Sequence, residues 1–214
     1  FEEQEKAAKK GNKEAHRFPF GVNIESYNNI RDRDVDIPDD MRSIKRPIVG
    51  YIGGIHKWID LELVKKIALK RKEMSIVLVG PRQIELSSLS GIKNIYLLGE
   101  KSREDIPAYV KFFDIGIIPY RKTVYTENVY PTKINEYLAM GKPVISTKIP
   151  EMIEFDKANG VDFIYFIENG NDPEPAINRA LSENNKDIIN RRIEVASSNS
   201  WDRKIEVMCD LIER

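Results

Sequence analysis

The sequence predicts a doubly wound α/β domain, a Rossmann-like parallel sheet of about six strands with helices on both faces. Three observations carry this. Six apolar runs recur between residues 47 and 167, most are separated by helical segments, and the runs show no polar–apolar alternation. Strands buried on both faces read as continuous apolar stretches, the signature of a parallel sheet covered by helices. Ligands of such sheets bind beyond the carboxyl ends of the strands, so the site is sought there.

Taken in order, residues 1–16 are polar, with Gly11 and Asn12 dividing them into two short helical pieces. Phe18 to Asn23 leads into residues 25–46, acidic and then basic, which read as surface linker or a short docking helix. The apolar runs are 47–52, 75–80, 94–99, 114–119, 142–146 and 162–167, with helices expected from Trp58 to about Arg71 and from Ser102 to Phe113. The tail from Pro173 is helical and charged. Asp172 and Ser182 are its capping candidates, and Ser200-Trp201-Asp202 begins a last helix whose apolar side is Ile205, Met208, Leu211 and Ile212. Glycine and small polar or cationic residues follow the strands at 53–57, 80–82, 99–102, 120–130 and 147–151.

Composition narrows the function. The 214 residues are 41% hydrophobic, enough for a sizeable core, and 34 Lys and Arg balance 34 Asp and Glu. That balance argues against a general nucleic-acid or membrane-surface protein. The single cysteine, Cys209, excludes an internal disulfide and any cysteine-based metal site, and suggests a reducing compartment, the cytoplasm. His16 and His56 stand far apart, which argues against zinc. No apolar run approaches the ~20 residues of a membrane span. The chain begins with Phe and carries no signal-peptide pattern, which suggests a piece of a longer protein. A Walker-type phosphate loop, a nucleophile elbow and a dinucleotide fingerprint are all missing.

One stretch organises the chemistry: Tyr130 to Thr147 reads as a short helix, a tight stop and a buried strand. Pro131 suits a first helical turn and Thr132 is placed to cap it. Gly141 supplies a left-handed end, and Pro143 blocks continuation. Ile134, Tyr137 and Leu138 form the buried stripe, while Lys133, Glu136 and Met140 fall on another face. A helix start with a lysine, and a carboxylate one turn on, suits a nucleoside diphosphate: phosphates at the N-terminus, ribose hydroxyls at Glu136. The plain alternative is an amphipathic helix with a solvated Lys–Glu pair.

The pattern Pro131-x-Lys133-x-x-Glu136-Tyr137-Leu138-Ala139-x-Gly141-Lys142-Pro143-Val144 resembles the donor-site segment of retaining GT-B glycosyltransferases of group 1, the glycogen-synthase-like family. The resemblance covers about residues 47–214. It implies the C-terminal, nucleotide-sugar-binding half of a GT-B fold, with Glu136 on the donor ribose and Lys133, beside Thr132, at the diphosphate. It places Gly53-Gly54 and Lys57 beside the phosphates, although a tight turn explains the glycines equally well. The family more often has an arginine where this chain has Tyr51. Its Glu-x7-Glu pattern puts the donor sugar at Asn128, which is not acidic, with Glu127 one position off. Gly99, Glu100 and Lys101 would face the nucleobase through backbone groups. Phe20 to Asn23 would match the linker after the N-terminal half, and the Ser200-Trp201 element a terminal helix packing back towards that half.

The implied division is 1–46 as linker or remnant of the preceding domain, 47–199 as the nucleotide-sugar domain and 200–214 as the returning helix. The implied activity is transfer of a sugar from a nucleotide diphosphate sugar, without cofactor or metal, in cell-envelope or polysaccharide biosynthesis. The acceptor would bind the N-terminal half, so this piece alone would be inactive. His56 maps to no catalytic position and reads as a loop histidine. A nucleotide-sugar epimerase of the same architecture and a non-catalytic Rossmann-like scaffold both stay open.

Overall fold

A computed structural model describes residues 10–11, 15–16, 18–159, 163–167 and 172–213. Most of the two helical pieces expected in 1–16 and the start of the last strand at Asp162 lie outside them; Lys10 and Gly11 are helical. In order come α1 (Ile24–Arg31), β1 (Ile48–Ile52), α2 (Leu61–Lys70), β2 (Ser75–Val79), β3 (Ile95–Gly99), α3 (Ile106–Phe112), β4 (Ile115–Ile118), α4 (Lys133–Ala139), β5 (Val144–Thr147), α5 (Pro150–Asn159), β6 (Ile164–Ile167), α6 (Glu174–Ser182), α7 (Lys186–Ser198) and α8 (Trp201–Ile212).

The six strands form one sheet in the order β3-β2-β1-β4-β5-β6, and every pair is parallel. Every residue of β1, β2, β4 and β5 is buried, as unalternating runs demand, so both faces of the sheet centre are covered. β3, at one edge, is only half-buried.

The strand order reverses between β1 and β4, and there the pairing is short: Val49 with Ile115 and Gly50 with Gly116. Both glycines are dictated by rings. A Cβ on Gly50 would lie 2.1 Å from the Phe113 ring, and one on Gly116 would lie 2.5 Å from the Tyr137 ring. Past this pair the Tyr137 hydroxyl bridges the strands, accepting from Ile52 N–H at 3.1 Å and donating to the Ile117 carbonyl at 3.3 Å. A side chain from α4 thus closes the gap at the point where α/β sheets open a crevice.

α4 keeps its expected stripe, with Ile134, Tyr137 and Leu138 fully buried, and Gly141 ends it at φ +68°. Two details differ. Thr132 holds the N-cap position, but its backbone is already helical (φ −53°, ψ −29°) and its side chain makes no cap bond, since capping needs an extended residue there. Met140, at the C-cap, is buried rather than on the open face.

Residues 22–46 lie on the sheet domain, not apart from it. Tyr27, Val22, Met41 and Ile44 belong to its core, and α1 packs against α3 and α4. Lys111 donates to the carbonyls of Ile30, Arg31 and Arg33, a cation at the negative end of α1. Val22 also pairs with the start of α8, through bonds of 3.1 Å to Asn199 and from Trp201.

In the tail, Asp172 accepts from Glu174 N–H at the start of α6, but from one residue before the N-cap, which is Pro173 and makes no side-chain cap bond. Ser182 instead closes α6, its hydroxyl donating to the Arg179 carbonyl, and Asn185 caps α7. Ser200 caps α8 by accepting from Arg203 N–H, as expected. The apolar side of α8 is present but only partly covered: Met208 and Leu211 are half-buried, while Ile205 is 52% and Ile212 84% exposed.

Candidate functional site

At the carboxyl ends of β1 and β2 lies a cleft of about 740 Å³. One wall is the β1 and β2 ends (Ile52, Gly53, Val79, Gly80, Pro81), and another is the first turn of α4. The backbones of the first wall touch: Gly53 N–H donates to the Val79 carbonyl at 2.8 Å. Gly80, at φ +145°, approaches so closely that a Cβ there would meet the Gly53 oxygen at 2.1 Å. Only glycine tolerates that conformation and approach. The result is a floor of bare backbone beside a cation.

That cation is Lys133. Its ammonium donates to the Tyr120 hydroxyl at 2.7 Å and sits 5.1 Å from the Tyr51 ring centre and 5.2 Å from that of Tyr120. Its Nζ lies 3.3 Å from where a Gly53 Cβ would stand. Two aromatic faces therefore hold the charge above the glycine floor. Tyr51 in turn donates to the Gly54 carbonyl at 2.9 Å, fixing its ring.

Glu136 lies one turn along α4 on the same wall. Burial raises its carboxyl above the ordinary range, while Lys133, Arg103 and a hydrogen bond from Tyr27 pull it back. The cleft thus sets a cation and a hydrogen-bond-accepting carboxylate a helical turn apart, with apolar Val79, Ile106 and Pro107 nearby. Such a mixture is chemically suited to an anion that carries hydroxyls and a flat apolar group.

Of the residues singled out in the sequence, Thr132, Lys133, Glu136, Gly53, Glu100 and Lys101 line this cleft. The Lys101 side chain is turned to Asp40 (2.8 Å) and the Tyr109 ring. Gly54, Lys57, Gly99, Glu127 and Asn128 are not in its lining. Lys57 is exposed, Asn128 donates to the Val124 carbonyl of its own loop, and Glu127 lies 4.0 Å from Lys122. His56 packs against Trp58, 4.2 Å between ring centres.

Four participants escape the motif. Tyr27 and Trp201 come from segments read as linker and tail, and Arg103 follows the flagged 99–102 segment. Tyr120, where the polar loop begins, reaches the cleft through Lys133. Gly80 and the aromatic richness of 120–130 were the signals available.

The sequence model of the family described as "Glycosyl transferases group 1" matches residues 46–183. TuaH of Bacillus subtilis (strain 168), whose name assigns it provisionally to teichuronic acid biosynthesis as a glycosyltransferase, is 27% identical over 208 residues. The match covers 93% of this chain, and the chain spans about half (51%) of that relative's length. Anabaena Alr3699/HepE, solved in complex with UDP, superposes with a TM-score of 0.68 at 16% identity, over 90% of this chain and 56% of that one. AviGT4, a glycosyltransferase involved in avilamycin A biosynthesis, gives 0.65 at 14% identity, over 94% and 57%.

Proposed function

Since the chain belongs to the group 1 glycosyltransferases, we propose that its cleft holds the nucleotide diphosphate of a sugar donor. The chain would be the donor-binding half of a two-domain GT-B enzyme that transfers the sugar, with retention, to an acceptor held by the other half. The observation that carries this is the pairing of Lys133 with Glu136 over the Gly53–Gly80 floor. In this assignment the ammonium of Lys133 takes the diphosphate, close to backbone that no Cβ obstructs. Glu136 accepts from the ribose hydroxyls. The nucleobase lies towards Glu100, the Lys101 backbone and Arg103, against Ile106 and Pro107. Catalysis is electrostatic: as the sugar leaves, charge builds on the diphosphate, and a cation already in place stabilises it without reorganising. Lys133 supplies that charge from the protein, so the assignment calls for no metal.

HepE was solved with UDP-glucose as well as UDP, which makes UDP the first nucleotide to try. The name of the Bacillus relative points to a cell-envelope polysaccharide as the product class. The test is calorimetric titration with UDP, GDP and ADP, with and without EDTA. One nucleotide should bind saturably and indifferently to EDTA. Lys133→Ala and Glu136→Ala should each weaken it at least tenfold, about 1.4 kcal/mol. No binding of any nucleotide, to this chain or to the whole enzyme, would refute the assignment.

A further inference from the structure

Beside the cleft three rings are stacked in a row. His56 packs on Trp58 with centres 4.2 Å apart and planes 31° apart, and Trp58 packs on Tyr125 at 5.0 Å and 28°. The row starts one residue past the cleft floor: the His56 ring covers Gly54, next to Gly53, and a Cβ on Gly54 would lie 2.6 Å from Nε2. It ends in solvent, with Tyr125 59% exposed and its neighbour Val124 83% exposed.

The segments under the row are hydrogen-bonded to each other. Residues 58–60 run antiparallel to 119–121, with Arg121 N–H donating to the Trp58 carbonyl at 2.7 Å and Asp60 N–H to the Pro119 carbonyl at 2.7 Å. The loop carrying Tyr125 is clamped by buried Thr126, whose hydroxyl accepts from Thr123 N–H and donates to the Arg121 carbonyl. Lys57, Arg121 and Lys122 are exposed on these same two segments, with Glu127 4.0 Å from Lys122 as the opposing charge.

We propose that this row is a binding platform for an acidic glycan, whose sugar ring lies on the outer face of Tyr125 while its carboxylates pair with Arg121, Lys122 and Lys57. Flat rings fixed in advance contribute contact area at little entropic cost, and Tyr and Trp offer an apolar body for the C–H face of a pyranose with polar edges for its hydroxyls. Exposed cations on the two segments that carry the row select an anionic partner and raise its encounter rate at low salt. The position beside the diphosphate end of the cleft rests on the donor-site assignment above and places the platform on the sugar side of the donor, where an acceptor chain or nascent product would pass.

The chain has two tryptophans, Trp58 and Trp201, so Trp201→Phe leaves Trp58 as sole reporter inside the platform. Fluorescence of that variant is titrated with hexagalacturonate, with neutral maltohexaose and with phosphatidylglycerol vesicles, and UDP affinity of the unaltered chain is measured separately by calorimetry. The platform requires saturable quenching by hexagalacturonate, weakened at least tenfold by Tyr125→Ala or by Arg121→Gln with Lys122→Gln, and retained in Tyr125→Phe and Glu136→Ala. Equal response to maltohexaose would overturn the acidic class. A response to vesicles alone would replace the glycan with a membrane surface, and no response to any probe would overturn the platform. If Tyr125→Ala does not fold, the paired Arg121 and Lys122 exchange decides alone. Loss of UDP binding with quenching intact would count against the donor site and leave the platform standing.

Discussion

Lys133 shows how one residue's surroundings fix its use. A lysine on a half-open helix face is ordinarily solvated; here Tyr51 and Tyr120 confine it over bare backbone. Tyr51, the departure from the family pattern, is thereby accounted for: it orients a neighbouring cation instead of supplying one. Tyr120→Phe removes the hydrogen bond and keeps the ring, so nucleotide affinity should fall several-fold while thermal stability changes little, measured by calorimetry and melting. Glu136 carries a cost. Its folded carboxyl is raised above the ordinary 4.5, chiefly by burial, so the folded state holds the proton longer than the unfolded one. Stability therefore falls as pH rises from about the ordinary value through the raised one, and the ionised group burdens the fold at neutral pH. Glu136→Gln should melt higher than the parent at pH 7 while binding nucleotide more weakly. Lys142 has the opposite profile. Burial lowers its ammonium to about 8 from 10.5, with Arg46 and Lys111 adding to the fall and Asp114 opposing it. The unfolded state then binds more protons between those values, so stability rises with pH across that window. Lys142→Met should outmelt the parent at pH 7, and the gap should shrink towards pH 10.

Among the elements, the strands were legible because burial on both faces leaves a run of apolar residues that nothing else in the chain imitates. β3 sits at the edge and was legible only because its half-burial still favours Ile, Tyr and Leu. Helix ends were less so. Ser182 and Asn185 both suit a cap, and which one serves depends on where Arg192 draws the chain: it donates to the Glu183 and Gly141 carbonyls and to Asn184. That anchor is tertiary, and no local pattern announces it. Gly53 and Gly80 were visible as turn residues; their mutual approach was not, because it joins two strands. Gly80→Ala should cost more than about 2 kcal/mol in urea unfolding, since a positive φ and a backbone clash coincide. Tyr137→Phe strands the Ile52 N–H in the core and should cost about 1–3 kcal/mol by the same measurement.

For the molecule as a whole, the motif in α4 located one wall of the site, and the other walls came from segments that carry no motif. Residues 25–46 looked like linker because their charges dominate the composition, yet Ser26 and Tyr27 make α1 part of the cleft, and Tyr27 donates to Glu136. α8 was read correctly as amphipathic, and its apolar side lies partly open in this chain. If that side meets the other half of a longer enzyme, Ile205→Ser and Ile212→Ser should leave the melting of this chain within about 0.5 kcal/mol but weaken association of the halves.

The pairing of Val22 with the start of α8 bears on how such domains are excised. Boundaries drawn where the match to the family model ends, at residues 46 and 183, retain all six strands, α4 and the whole Pro131–Val144 motif. They discard Phe20, Gly21, Tyr27 and Trp201, all of which line the cleft. A gene cut at those borders would encode an intact sheet around a trench open on one side, with α3 and α4 stripped of their cover and Glu136 without its tyrosine. Inactivity of that product would report on the scissors, not on the enzyme.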